Sequence, residues 1–509
     1  MGDRASGMPP VFQDITFRPI LPINRPIVVS SRMFYDFRES NSLGGRAAPF
    51  IISFTGIRDR LTMEKRHSRK AGDARGDYEN RCLETLETAL DRTPIYESWK
   101  ALDPGAQHDV DTRYHSLPVL TKEDIRAHFP YGVVPAGLDL DAAIARGEVS
   151  FVSTSGTADE ALQNIWNQRW WNDSERASWK LNGIASRVAT GTHPEAILAS
   201  ALSVGPRSDG GPIDREDRML GRFLFLNEFP TTADWPEDHE RRILVELADY
   251  RPAVLEANPS LLARLARFIW KTGVAVYHPP LITLTYEFPS ALQLRAIRRV
   301  FSSPIASSYG STEAGYVFME CEQGMLHQNT EFCRVDFAPL LDRVEGSGRV
   351  GRIFATTFGN PWFPLVRFDI GDIARLASGP CLCGRNSGMT LSAIDGRLKS
   401  LCIAGDGRLL THRELDDALA RVEGLEQYQL VQETPKDVRL AVIGEDGQGI
   451  NAARHAEDLL RGVFGRGVTI TVRHVPVLHP EKSGKFLLVK RGFPLDSPIA
   501  TSRTEVPHA

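Results

Sequence analysis

Between residues 183 and 390, short apolar runs of β type keep alternating with amphipathic helical runs. "AVLEANPSLLARLARFIWKTG" is one such unit, and "LITLTYEF" followed by "SALQLRAIRRVF" is another. The alternation therefore predicts an α/β architecture of layered sheets and helices. With 509 residues the chain is too long for one hydrophobic core, so several are expected. Near residue 395 the texture changes. "DGRLKS" reads as a polar turn, and a smaller α+β pattern follows it. That pattern has helices at "THRELDDALARV" and "NAARHAEDLLRGVF", with strands at "YQLVQE", "VRLAVIG" and "VTITVRHV". We expect a large domain over residues 78–396 and a small C-terminal domain over 397–495, hinged at their junction. Residues 1–77 form an extension of unassigned role, and 496–509 a tail.

Within the large domain, "NRCLETLETALDRTPIYESWKAL" has helical apolar spacing. "LPVLTKEDIRAHF" offers Thr121 as a helix N-cap with acids in the first turn. Residues 58–77 are charged and poor in apolar side chains, which fits a solvated linker or an exposed helix. The acids mixed among their bases argue against an RNA-binding patch.

The formal net charge of −4 gives no global attraction to nucleic acid or to an anionic membrane. No apolar run has the length of a membrane span, and the N-terminus lacks a signal-peptide core. Gly2 and Ser6 match a loose myristoylation pattern, which Asp3 makes a chance match. Six cysteines in a chain this long do not form a disulfide scaffold, so a cytoplasmic protein is expected. The oligomeric state is left open.

Four segments carry chemistry. "SFVSTSGTADEALQ" holds Ser153, Thr154, Ser155, Gly156 and Thr157, small and hydroxyl-bearing residues of the kind that cradle phosphate. It lacks both the Walker ending and any lysine or arginine; alone it reads as a plain surface loop sooner than as a phosphate site. "SSYGSTEAGY" adds Tyr309, Gly310, Ser311, Thr312 and the carboxylate Glu313 after an apparent strand. Its bland reading is a β-to-α turn with a helix cap. "PLVRFDIGDIARL" places Asp369 and Asp372 three apart in a turn, suited to gripping a vicinal diol or simply to solvation at a strand end. "HPEKSGKFLLVKR" sets Lys485 after a Ser-Gly turn.

In this order the motifs resemble the adenylate-forming superfamily of acyl-CoA synthetases, luciferases and nonribosomal adenylation domains. The phenylacetate–coenzyme A ligase branch is the nearest likeness. "LPVLTKEDIRAHF", "STSGT", "YGSTEAG", "LVRFDIGD", "DGRLKS" and "SGKF" follow in family order from Leu83 to Val489. The resemblance implies a small domain that moves as a lid. It implies that Ser153 to Thr157 hold the β,γ-phosphates of ATP, that Tyr309 stacks near adenine, and that Thr312 bonds the α-phosphate. Gly310 and Ser311 belong to the same nucleotide motif. Glu313 would bind Mg²⁺, Asp372 would hold the ribose with help from Arg397, and Lys399 would be the hinge. Lys485 would swing in with the lid as the catalytic cation. The phosphate loop departs from the family's Thr-Gly-x-Pro continuation, running "ADEALQ" instead.

Cys321, His327, Cys381 and Cys383 make a Cys₃His set suited to a structural zinc, with Cys333 as an alternative to His327. Some ligases of the resembled branch carry metal-binding cysteines in these places. Buried free cysteines are the plain reading. Trp166 and Trp170 stand at helical spacing and read as core or as a partner contact.

The function these features imply is ATP-dependent, AMP-forming activation of an aromatic or short carboxylic acid. Transfer of the acyl group to coenzyme A would follow. Partners are then small molecules, with no nucleic acid and no membrane. Amide formation and nitrite activation for N–N bond formation are alternative chemistries. A degenerate protein that only binds nucleotide is the alternative of another class.

Overall fold

The computed structural model describes residues 28–29, 71–154, 162–201, 211–230, 232, 235–340, 348–445, 447–478 and 486–495. Its largest element is a mixed sheet whose order runs from the strand Cys333–Pro339 at one edge to Met219–Leu220 at the other. The central strands Glu195–Leu198, Phe223–Phe225, Val254–Ala257, Leu281–Leu284 and Ile305–Ser311 are parallel neighbours. Helices Pro259–Thr272 and Ala291–Val300 supply two of the crossovers. Asn258 caps the first of these and carries Pro259 at its first position; Ser290 and Gln293 close a capping box on the second. The four residues of Val254–Ala257 and of Leu281–Leu284 are all buried, as expected of strands covered on both faces.

The expected alternation stops sooner than residue 390. After Ser311 the sheet continues as antiparallel strands through Thr390–Arg397, and among the described residues no α-helix lies between Val300 and His412. Runs such as "RIFATTF" are apolar on both faces, a pattern that does not distinguish parallel from antiparallel burial.

A second, three-stranded sheet pairs Ser150–Thr154 with Gln163–Trp166 and, in parallel, with Val28–Val29. Helix Ala71–Arg92 begins inside the segment read as a solvated linker or an exposed helix. Trp166 ends a strand while Trp170 lies in helix Gln168–Trp179, which Asn167 caps. Their helical spacing is therefore incidental, although both are buried.

The small C-terminal unit packs around Leu415, Tyr428, Leu440, Leu460 and Phe464, a core that Leu292 of the large unit joins. Its four-stranded sheet runs Thr469–His474, Asp437–Gly444, Leu425–Thr434, Val489–Arg491, with helices His412–Leu419 and Gly449–Phe464 beside it. Contacts between the units are specific. Asp416 accepts from the Ala291 N–H at 2.7 Å, and Arg295 donates to the Ala420 carbonyl at 2.6 Å.

Candidate active site

The site is assembled on a β-hairpin. Strands Ile305–Ser311 and Gly315–Glu320 pair antiparallel, so "GSTEAG" is a hairpin turn and not the start of a helix. Gly310 is required at this point, because a Cβ there would collide with the Gly315 carbonyl. Gly315 itself has φ of 69°. The turn is tied to the three-stranded sheet by Asn164, whose side-chain amide donates to the Thr312 carbonyl at 2.8 Å. Ser311 Oγ accepts from the Ala314 N–H at 3.1 Å, which fixes the turn from within.

Tyr309 reaches the next motif. Its hydroxyl donates to Asp372 Oδ2 at 2.8 Å, and Arg397 Nε stands 3.3 Å from Asp372 Oδ1. Burial, reinforced by the Asp372 charge, pushes the Tyr309 phenol well above its ordinary range and keeps it a donor. Asp369 and Asp372 lie within the strand Phe368–Leu376, not in a turn; Gly371, with φ of 87°, sits between them where the pairing with strand Val350–Thr357 shifts register. Asp369 is engaged by Arg352 and by the Gly371 N–H. Asp372 opposes Arg397 in register, so strand pairing itself brings the two together.

Glu313 is 4% exposed, and its Oε1 has no hydrogen-bond partner among the described residues. Lys122 Nζ stands 3.8 Å from that oxygen. Lys122 opens helix Lys122–His128, whose capping box of Thr121 and Asp124 forms. A lysine in a first helical turn opposes the helix dipole. That misplacement was the signal in the sequence that this lysine answers to something other than its helix. The cation missing from the Ser/Thr/Gly segment thus has a candidate source elsewhere in the chain.

Ser153 and Thr154 end their strand beside this hairpin's sheet-tie, and Thr154 Oγ1 accepts from the Leu162 N–H at 2.9 Å. Ser155, Gly156, Thr157 and Lys485 lie outside the described residues. Lys399 sits in the short 3-10 turn Leu398–Ser400 that joins the two units. Glu287, which the sequence reading passed over, accepts from the Phe486 N–H at 2.6 Å. It thereby ties the strand-end "TYEF" to the residue that follows Lys485 in sequence.

The other end of the hairpin carries the Cys/His set. Ligand atoms of Cys321, His327, Cys381 and Cys383 all lie within 4.8 Å of one another. Cys321 and Cys381 sulfurs are 3.7 Å apart, and Cys383 Sγ is 3.2 Å from His327 Nε2. A tetrahedral zinc with bonds of about 2.0–2.3 Å sets ligand edges of roughly 3.3–3.8 Å, so the residues fit a metal. Thr390 Oγ1 lies 3.3 Å from His327 Nδ1, leaving Nε2 toward the sulfurs. Cys333 is not in the set. It is fully buried and bonds the Asn329 carbonyl at 3.5 Å. Among the described residues, no helix is long and apolar enough to cross a membrane.

No protein-family model matches the chain. A phenylacetate–coenzyme A ligase of Thermus thermophilus is 26% identical over 369 residues, covering 69% of this chain and 77% of the relative. The structure is similar to that of 2-hydroxyisobutyryl-CoA ligase in its postadenylation state with 2-HIB-AMP. The TM-score is 0.60 at 17% identity, over 81% of this chain and 88% of that one. The same ligase in complex with R3-HIB-AMP gives a TM-score of 0.61 at 16% identity, over 84% and 91%.

Proposed function

We propose that this chain, a member of the adenylate-forming superfamily on its phenylacetate–coenzyme A ligase-like branch, activates a small carboxylic acid with ATP and passes the acyl group to coenzyme A. The observation that carries the reading is the Tyr309–Asp372–Arg397 cluster beside the Glu313 turn. It joins a diol-gripping carboxylate, an aromatic face and a buried acid from three separate sequence motifs.

In the first half-reaction a carboxylate oxygen of the acid attacks the α-phosphorus of ATP. The bond to the bridging oxygen breaks and pyrophosphate leaves with its electrons. Asp372 accepts from the ribose hydroxyls, and Arg397 restrains Asp372. Thr312 bonds the α-phosphate, while Ser153 to Thr157 hold the outer phosphates. Two anions must meet, so cationic charge is needed along the reaction path. Lys122 supplies it from the entry helix and Lys485 from the lid. Mg²⁺, held by Glu313, neutralises phosphate charge when bound. In the second half-reaction the thiol of coenzyme A adds to the acyl carbon, AMP departs, and the thiol proton goes to solvent. The Cys/His set holds a structural zinc and takes no part in the chemistry.

Lys122 counts against the degenerate reading, because it restores a cation that the altered phosphate loop lacks. Pyrophosphate release should be followed with ATP and Mg²⁺ against aryl and short-chain acids and nitrite. Wild type and Lys485→Ala are run with and without coenzyme A. Acid-dependent release, at least 100-fold lower in the variant, is expected. Turnover that needs coenzyme A identifies the acceptor. Release driven by nitrite alone, or turnover with amines alone, would replace this reading; ATP binding with no release on any acid would establish the degenerate one.

A further inference from the structure

A cavity of about 320 Å³ lies where the small unit meets the large one. One wall is helix Pro259–Thr272, which presents Arg264, Arg267 and Lys271 on one face at spacings of three and four. The small unit contributes Glu426 and Phe486 to the lining. Three cations therefore face one carboxylate.

The three cations are not equivalent. Arg264 is committed, donating to Glu240 at 3.0 Å and lying 4.8 Å over the Trp235 ring. Lys271 is exposed at the outer end. Arg267 is half-buried between them, and its hydrogen bond among the described residues is a long one, 3.5 Å to the Glu426 carbonyl. Burial pulls its guanidinium down to about 10, against the opposing pull of Glu426. A guanidinium offers five donors, so among the described residues most of this fork has no acceptor. A second unused donor lines the same cavity. Trp235 is 8% exposed, and its indole Nε1 has no hydrogen-bond partner among the described residues. Leaving the indole donor buried is costly unless a ligand accepts from it, and the half-buried guanidinium beside it can share that ligand.

We propose that this cavity binds an anionic organic ligand, whose phosphate or carboxylate accepts from Arg267 and from the Trp235 indole N–H. The proposal rests on the ligase reading for its ligand's origin. Phe486 lines the cavity and immediately follows Lys485 in sequence, and on the ligase reading the ligand is taken from the acid-activating reaction. Two sources share the chemistry: a phosphate of coenzyme A, or a second carboxylate carried by the acid itself. Because the lining comes from both units, the bound anion also favours the domain arrangement described here.

The test uses the full chain, with calorimetric titration of coenzyme A, 3′-dephospho-coenzyme A and glutarate. Wild type, Arg267→Gln, Arg267→Lys and Trp235→Phe are compared. At least one probe should bind wild type and bind Arg267→Gln about tenfold or more weakly, with partial recovery in Arg267→Lys. Trp235→Phe keeps the ring, loses the N–H, and should weaken the same probe several-fold. It decides the matter should the Arg267 variants fail to fold. Loss confined to coenzyme A and its 3′-phosphate marks the acceptor as the source; loss confined to glutarate marks the acid. No binding of any probe to wild type, or equal binding to all variants, overturns the proposal. Acid-dependent pyrophosphate release by wild type is measured separately, so failure of the cavity and failure of the ligase reading remain distinct.

Discussion

The two ends of one β-hairpin are built to opposite specifications. At the turn, Glu313 has an oxygen with no hydrogen-bond partner among the described residues, Lys122 stands off at 3.8 Å, and the Arg397 side chain is 54% exposed. About 20 Å along the six-residue strand Gly315–Glu320, Cys321 and His327 are buried and each meets another ligand-type atom within 3.7 Å. The first end keeps a buried acid oxygen and an exposed guanidinium within reach of a ligand. The second turns its groups on one another. Burial of polar atoms alone does not separate a binding site from a structural one; the difference lies in whether the groups answer one another. The two ends should therefore fail differently when altered: the turn in ligand affinity, the Cys/His end in folding.

The largest effect is expected at Asp372. Asp372→Ala removes the acceptor of the Tyr309 hydroxyl and the proposed ribose grip together. The KM for ATP should rise about 100-fold, close to 2.7 kcal/mol, while the melting temperature moves by only a few degrees. ATP titration of pyrophosphate release alongside thermal melts checks both. A variant that melts far below wild type yet keeps its KM would merge the two ends into one structural network.

Cys381→Ser should do the reverse. Purified wild type should hold about one zinc per chain and the variant much less. Loss of the metal should lower the melting temperature by about 10 °C, with the rate of the folded fraction within about twofold at low temperature. Metal analysis finding no zinc in wild type prepared without chelator would return these residues to plain buried cysteines.

Lys122 sharpens the comparison because it is the least expected member of the open end. Lys122→Ala should raise the KM for ATP about tenfold, with Lys122→Arg recovering most of it. Removing the cation also leaves the buried Glu313 carboxylate without its neighbouring charge, so Lys122→Ala should lower the melting temperature as well, and Lys122→Arg should restore it. Unchanged ATP kinetics would leave Lys122 as an ordinary surface lysine and reopen the question of what replaces the loop's missing cation.

Much of this contrast was legible in the sequence because it depends on local chemistry. Spacing and residue type were enough to bring forward Cys321, His327, Cys381 and Cys383, and the hydroxyl-rich turn ending in Glu313. Strand pairing then places Asp372 opposite Arg397, a relation that no local pattern contains. The antiparallel half of the main sheet was not legible, since strands buried on both faces lose the alternation that marks them. Lys122, Asn164 and Glu287 were missed for a related reason. Each acts on a segment more than a hundred residues away in sequence, and its meaning comes from the partner.

The smallest effect is expected at a buried acid that belongs to neither end. Asp416 is 1% exposed on the small unit, where it accepts from the Ala291 N–H at 2.7 Å and the Tyr428 hydroxyl at 2.8 Å. Burial dominates and raises its carboxyl from 3.8 to about 6, with Asp417 pushing the same way and Arg413 opposing. The folded state thus holds this proton more tightly than the unfolded one. Stability from this residue is fully present below about pH 4 and falls as pH rises toward about 6, where the buried charge is completed. Asp416→Asn keeps an acceptor and cannot ionise, so the variant should gain on wild type across that interval and hold its gain above it. The measurement is the difference in melting temperature between the two proteins from pH 4 to pH 7. A difference that stays constant would mean that the hydrogen bonds across the junction outweigh burial. Asp416 would then resemble the self-satisfied Cys/His end, with its polar demand fully met inside the fold.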